Sequence, residues 1–326
     1  MSPDVHSFPG KILLFGEYSL LRGSAALTLP FSKHHVKLLF PDTSLSESEN
    51  RIAHNSNKQL QSFLDYLKDA KYVIGSDISY DRMQEDLTAG LYLWSNIPSG
   101  YGLGSSGALV AAIYHLYGEK RPDDSLAGVS TSRPISSERL DELKTIFARM
   151  ESFFHGASSG LDPLSSYVKK PLMIDPQQKI SVVTQQLKSF NEDGGFFLLD
   201  THKPRNTKHL VKIFHKKCQD AGFINMLNQD YIPLNNACID AVIYKSTALP
   251  ELIHRLSDLQ LKHFIEMIPE EFLLSWAQGL STGKYTLKLC GAGGGGFLLG
   301  YTDDYANVSQ GMSTPEQSII PLNNYL

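Results

Sequence analysis

Pro98-Ser99-Gly100-Tyr101-Gly102-Leu103-Gly104-Ser105-Ser106-Gly107 is the stretch on which the reading of this chain turns. The apolar run 91–97 leads into it and reads as a buried strand. Residues 106–117, rich in Ala and Leu, lead out of it and read as a buried helix. Glycines let a backbone turn tightly and approach a ligand closely. The free N–H groups at the start of the following helix converge on one spot, and the helix dipole favours negative charge there. Two serine hydroxyls stand where they can reach a phosphate or a phosphate-bound metal. No Gly-Lys-Ser/Thr follows, so this is a phosphate cradle of a different kind from the Walker loop. A serine-capped strand-to-helix turn has the same composition, and the loop by itself leaves both readings open.

Two further glycine-bearing segments bracket it. Upstream stands Pro9-Gly10-Lys11, then an apolar strand to Phe15, then Gly16-Glu17-Tyr18 and Gly23. A lysine at a strand start is usually a solvated flank, and a Gly-Glu pair usually a turn. Downstream, Gly291-Ala292-Gly293-Gly294-Gly295-Gly296 lies between the apolar segments Leu287-Lys288-Leu289 and Phe297-Leu298-Leu299. Core packing gives no reason for four consecutive glycines. Held between buried strands, they point to close backbone approach to a ligand.

Between these segments the pattern predicts strands at 25–29 and 36–40, separated by Pro30, then a loop and a solvated helix start within the polar stretch 43–59, leading into helical spacing at 59–68. A helix is expected over 140–154, where Leu143, Ile146, Phe147, Met150 and Phe154 share a face. A loop carrying Gly156, Ser158, Ser159 and Gly160 should follow it. Strands are expected at 180–183, 196–199, 285–289 and 297–301, and helices at 209–218 and through 219–279. The polar tail beyond Asn307 is expected to be poorly ordered. The region 174–191 is polar and marks the domain boundary, dividing the chain into 1–185 and 186–326.

At 326 residues the chain is long enough for two domains. A net charge of −4 without any Lys/Arg-rich block gives no reason to expect a nucleic-acid or membrane partner. Its three cysteines lie far apart and form no CxxC pair, which excludes a disulfide framework and a zinc site and fits a reducing compartment. No signal peptide is visible at Met1–Gly10. A cytoplasmic location is expected.

The three segments, in this order and at these distances, resemble the GHMP kinases (galacto-, homoserine, mevalonate and phosphomevalonate kinases), over nearly the whole chain from Pro9 to Leu299. The resemblance implies an α/β (α+β) fold of two domains: an N-terminal ribosomal-S5-like, ATP-binding half and a C-terminal ferredoxin-like half. It implies ATP and Mg2+, a small-molecule substrate, and a homodimer as one of the assemblies open to it. In the family the loop Gly102, Leu103, Gly104, Ser105, Ser106, Gly107 wraps the ATP phosphates, with Gly293 and Gly294 of the later run closing on the same nucleotide.

The chemistry sharpens the resemblance. Phosphoryl transfer needs a metal with oxygen ligands, charge neutralisation, and a group to manage the acceptor proton. The segment Glu151-Ser152-Phe153-Phe154-His155-Gly156-Ala157-Ser158-Ser159-Gly160-Leu161-Asp162-Pro163 resembles that of mevalonate kinases, where the Glu binds Mg2+ and the Asp faces the acceptor hydroxyl. The match implies Glu151 and Ser106 as metal ligands and Asp162 with Lys11 as the catalytic pair. Glu17, Tyr18 and Thr207, the last from Pro204-Arg205-Asn206-Thr207-Lys208, are implied acceptor contacts. Without the resemblance, Glu151 reads as a solvated helix end, Asp162 as a turn cap before Pro163, and Thr207 as part of an N-capped helix start. His155 reads as structural. Tyr18 departs from the family, since mevalonate kinases carry a His there and Gly-Glu-Tyr is closer to bacterial phosphomevalonate kinases. Phosphomevalonate, a sugar, or non-catalytic ligand binding are therefore the alternatives to mevalonate phosphorylation.

Overall fold

In the computed structural model, which describes residues 6–42, 44–69, 78–119, 135–185, 187, 193–311, 319–323 and 325, the first element is strand β1 (Phe8–Phe15). Strand β2 (Ala26–Leu39) follows as one 14-residue element rather than the two expected on either side of Pro30. Proline's fixed φ is compatible with extended backbone, and its ring removes only one ladder donor. Near its end β2 pairs antiparallel with β3 (Tyr92–Ser95), Val36 opposite Ser95. Near its start it pairs antiparallel with β4 (Leu172–Ile174), Ala26 opposite Ile174, and β4 pairs with β5 (Ile180–Val182). The strands neighbour one another in the order β1-β2-β4-β5, with β3 joined to β2.

By contacts the chain forms two compact units. One gathers Met1–Lys11, Pro30–Pro98 and Leu103–Lys170; the other gathers Ile12–Leu29, Ser99–Gly102 and Pro171–Leu326. Among its described residues the first unit holds five helices: α1 (Glu47–Asp69), α2 (Tyr80–Thr88), α3 (Ser105–Tyr117), α4 (Ser137–His155) and α5 (Leu161–Val168). Helix α1 begins inside the polar stretch, where a loop and a solvated helix start are expected. The cause is a capping box: Ser46 N–H donates to Glu49 Oε2 at 2.9 Å while Glu49 N–H donates to Ser46 Oγ at 3.3 Å. Helix α3 is buried from Gly107 to Tyr114. Its Tyr114 ring meets Phe147 of α4 at 5.1 Å and Tyr167 of α5 at 5.6 Å, and those two rings meet at 5.3 Å. Such edge-on aromatic contacts add to the burial itself and fix α4 and α5 against α3. The segment after Gly160, to which the sequence pattern assigns no element, is helix α5. Pro163 in its first turn costs no hydrogen bond there.

The second unit is built on a four-stranded sheet, order β7-β8-β6-β9, from β6 (Gly195–Asp200), β7 (Thr286–Leu289), β8 (Phe297–Thr302) and β9 (Ile319–Pro321). Its pairings are antiparallel, with Leu198 opposite both Leu299 and Ile320. Strand β9 corrects the expectation of a poorly ordered tail: an Ile-Ile-Pro segment in an otherwise polar stretch completes the sheet edge. Residues 312–318 lie outside the described residues. Among the described residues, helices α6 (Thr207–Lys217), α7 (Ala221–Met226), α8 (Ile232–Ile243), α9 (Leu249–His263), α10 (Leu273–Thr282) and α11 (Tyr305–Gly311) also belong to this unit. Among the described residues no helix is long and apolar enough to cross a membrane.

Candidate active site

In the first unit the glycine loop is tied to β1 by its backbone: Lys11 N–H donates to Leu103 O at 2.8 Å. Gly104 then takes the left-handed conformation, φ 72°, as the N-cap of α3. A Cβ there would stand 3.1 Å from Asp162 Oδ2 and 3.3 Å from Lys11 Cγ. At Gly107, in the first turn of α3, a Cβ would lie 2.7 Å from both the Asp162 carbonyl carbon and Pro163 N. That contact is too short for any side chain, so glycine is what lets the start of α5 close onto the start of α3. The closure delivers Asp162 to the loop, where Lys11 Nζ meets Asp162 Oδ1 at 3.0 Å. The lysine side chain is 11% exposed and the aspartate 35%. The pair is thus walled in on one side and open on the other.

A second polar group stands at the same helix start. Ser106 Oγ donates to Glu151 Oε1 at 2.9 Å, and Ser158 Oγ donates to Glu151 Oε2. His155 Nε2 lies 3.0 Å from Ser106 Oγ. Glu151 is buried. Burial, and then the charge of Asp162, push its carboxyl pKa up, while hydrogen bonds from Ser158 and Ser106 oppose the shift. A divalent cation would relieve both causes of that shift. Among the described residues no group of three His, Cys, Asp or Glu side chains could hold a metal. Any cation here would meet one carboxylate and one hydroxyl and complete its shell elsewhere. That donor set fits Mg2+, which takes one or two protein oxygens along with phosphates and waters.

In the second unit, Glu17 and Tyr18 are buried beside partners from distant parts of the chain. Glu17 is fully buried, and its Oε1 accepts from Lys288 Nζ at 2.6 Å. The same ammonium donates to Leu14 O at 2.9 Å and Leu289 O at 2.8 Å, so all three of its donors are used. Burial pushes the Glu17 carboxyl pKa up; the Lys288 charge and hydrogen bond oppose this, as does the Gly291 backbone amide. Tyr18, at φ 57°, stacks near Phe214 (4.9 Å) and Phe264 (5.8 Å) and donates its hydroxyl to Ala292 O at 2.6 Å. Arg205 donates to Cys290 O at 2.9 Å and to Gly102 O at 3.3 Å. Three side chains thus hold the carbonyls of Leu289, Cys290 and Ala292, and these fix the entry to the glycine run. Within the run, Gly294 N–H is taken by Met267 O at 2.7 Å, and Gly293 packs against the same carbonyl.

The structure therefore brings Lys11, Asp162, Gly104 and Gly107 together, and likewise Ser106 with Glu151. Ser105 is exposed at the helix start. Thr207 opens α6, whose N-cap Asn206 accepts from His209 N–H. Glu17 and Tyr18, expected to meet the acceptor, are buried, Glu17 bonded to Lys288 and Tyr18 to the glycine run. Sequence reading passed over Lys288, Arg205 and Ser158, and took His155 as merely structural. Lys288 carried a signal, because a lysine in a strand as apolar as Leu287-Lys288-Leu289 needs a buried partner. The histidine contact depends on how α4 ends over α3, which no local pattern reveals.

Residues 71–170 match the family model described as GHMP kinases N terminal domain. A mevalonate kinase from Pyrococcus furiosus is 25% identical over 183 residues, 50% of this chain and 49% of that protein, so the match spans about half the length of the relative. The structure of L. major mevalonate kinase in complex with R-mevalonate superposes with a TM-score of 0.60 at 18% identity, over 98% of this chain and 96% of that one. Streptococcus pneumoniae phosphomevalonate kinase in complex with phosphomevalonate and AMPPNP gives 0.60 at 15% identity, over 97% and 99%. At such identities the structural likeness speaks for the fold alone. Residues 71–170 are thus similar to the GHMP kinase N-terminal domain, and the chain shares the fold of the solved mevalonate and phosphomevalonate kinases.

Proposed function

We propose that this protein is an ATP-dependent kinase that phosphorylates the hydroxyl of a small metabolite, with mevalonate as the first choice of acceptor. The observation that carries the reading is the Lys11–Asp162 pair at 3.0 Å, held at the mouth of a glycine loop that opens a buried helix. Asp162 orients the acceptor hydroxyl and receives its proton as the new P–O bond forms. Lys11 stabilises the negative charge that grows on the acceptor oxygen and the transferring group. The α3 amides and Ser105 hold phosphate oxygens at the positive end of the helix. Ser106 and Glu151 would hold Mg2+, which when bound neutralises phosphate charge. Thr207 is retained as an acceptor contact, Gly293 and Gly294 as nucleotide contacts, and 1–185 and 186–326 as the functional halves.

Tyr18 favours a second reading, phosphomevalonate as acceptor, because no imidazole stands at this position to meet a mevalonate carboxylate. ADP release measured with Mg2+ and ATP over mevalonate, phosphomevalonate, homoserine and galactose decides between them. The expected result is turnover on mevalonate well above the other three. Turnover on phosphomevalonate alone moves the assignment to the second reading. No turnover on any, by folded protein that also fails to be stabilised by Mg2+ and ATP, would sink the kinase reading.

A further inference from the structure

His155 ends α4, followed by Gly156 at φ 76°, and its ring is exposed. Its Nε2 lies 3.0 Å from Ser106 Oγ. The proton count at that hydroxyl settles the direction of the contact. Serine has one proton and two lone pairs. The proton goes to Glu151 Oε1 at 2.9 Å, and a carboxylate that also accepts from Ser158 is acting as a pure acceptor. Ser106 Oγ must therefore accept from His155, and the imidazole carries its hydrogen on Nε2. Around the oxygen, one direction is then taken by Cβ, one by the bond to Glu151 and one by the bond from His155. A single lone pair remains open.

We propose that His155 is a positioning residue: by donating to Ser106 Oγ it occupies one of the two lone pairs that the bond to Glu151 leaves open, so that only the other is presented, in a fixed direction, for a phosphate-bound divalent cation. Without the histidine the hydroxyl keeps its bond to Glu151 but both lone pairs stand open, and the cation meets a ligand with no single direction of approach. This inference rests on the reading of Ser106 and Glu151 as the metal pair. It assigns a role to a side chain that stands outside that pair. The role needs only an N–H at the Nε2 position, which distinguishes it from a requirement for imidazole as such.

The test compares the full-length parent with His155→Leu and His155→Gln. Glutamine can place an amide N–H near the position of Nε2; leucine cannot. Thermal stabilisation by ATP is titrated with Mg2+ and, separately, with EDTA, and the Mg2+ concentration giving half-maximal turnover is measured at saturating ATP. Because the ring is exposed, the ligand-free melting temperatures should agree, which controls for folding. His155→Leu should weaken Mg2+-dependent ATP binding and raise the half-maximal Mg2+ concentration by about three- to tenfold, the range for one hydrogen bond. Binding in EDTA should be unchanged, and His155→Gln should recover most of the loss. Equal Mg2+ dependence in parent and His155→Leu overturns the proposal, as does a loss that is the same with and without Mg2+. A parent that binds no ATP with Mg2+ removes the kinase reading itself, a result separable from either of these.

Discussion

Two of the lysine–carboxylate pairs in this chain are opposites. Lys11 and Asp162 meet at 3.0 Å with side chains 11% and 35% exposed. Lys288 and Glu17 meet at 2.6 Å with 1% and 0% exposed. The first pair leaves an open face on which a hydroxyl and a phosphoryl group can be received. The second spends every lysine donor on backbone and carboxylate oxygens, and it ties the end of β1 to the end of β7. On the proposed reading the same two functional groups serve chemistry in one place and backbone fixation in another, and solvent access separates the roles.

The sharpest way to break the comparison is to remove the charge from the open pair. Asp162→Asn should lower turnover on the best acceptor by about a hundred- to ten-thousand-fold, the usual worth of a positioned general base, and Lys11→Met should do similarly. The double variant should be little worse than either alone, because groups acting as a unit are not additive. Melting temperatures should hardly move, since a pair with a solvent-exposed face contributes about 1 kcal/mol or less. Near-parental turnover by Asp162→Asn would return Asp162 to the role of a helix-start acid.

The sealed pair should answer in the opposite currency. Lys288→Met strands the Glu17 carboxylate in the core and should cost about 3–5 kcal/mol of stability, read by urea unfolding. Replacing both, Glu17→Leu with Lys288→Met, should recover much of that loss, because no charge is then left unpaired. If the double variant is as unstable as the single, the carbonyl tethers to Leu14 and Leu289 outweigh the ion pair.

A smaller effect is expected at the packing contact that delivers Asp162. Gly107→Ala sets a methyl against the Asp162 backbone and should destabilise by about 1–3 kcal/mol, as overpacking does. Turnover should fall with it, because α5 must back away from the loop. Unaltered stability and activity would mean that α5 is not held at this distance in solution. Smallest of all, Tyr18→Phe deletes the hydroxyl bonded to Ala292 O and should cost about 1 kcal/mol, with the order of preference among acceptors unchanged. A change in that order would bring Tyr18 back to the acceptor.

The legibility of these regions in the sequence follows the same contrast. The loop Gly102 to Gly107 and the helix after it were readable, because strand, glycine turn and apolar helix are local patterns. So was the resemblance that singled out Lys11, Glu151 and Asp162. The start of α1 was expected within the polar stretch but not placed, although Ser46 and Glu49 spell a capping box. Helix α5 was missed because its eight residues, with a proline in the first turn, look like a turn. Glu17 and Tyr18 were placed with the acceptor by analogy, yet their partners, Lys288 and Ala292, lie more than 270 residues away along the chain.

What the sequence by itself determined is the set of elements and the chemical kinds of side chain beside the glycine segments, because hydrophobic period, glycine placement and capping act over a few residues. Tertiary structure alone decided which lysine is open and which is sealed, which hydroxyl His155 reaches, and how closely α5 may approach α3. Those outcomes depend on burial and on contacts between segments far apart in the chain, and burial sets whether a charge is available to a ligand or committed to its neighbours.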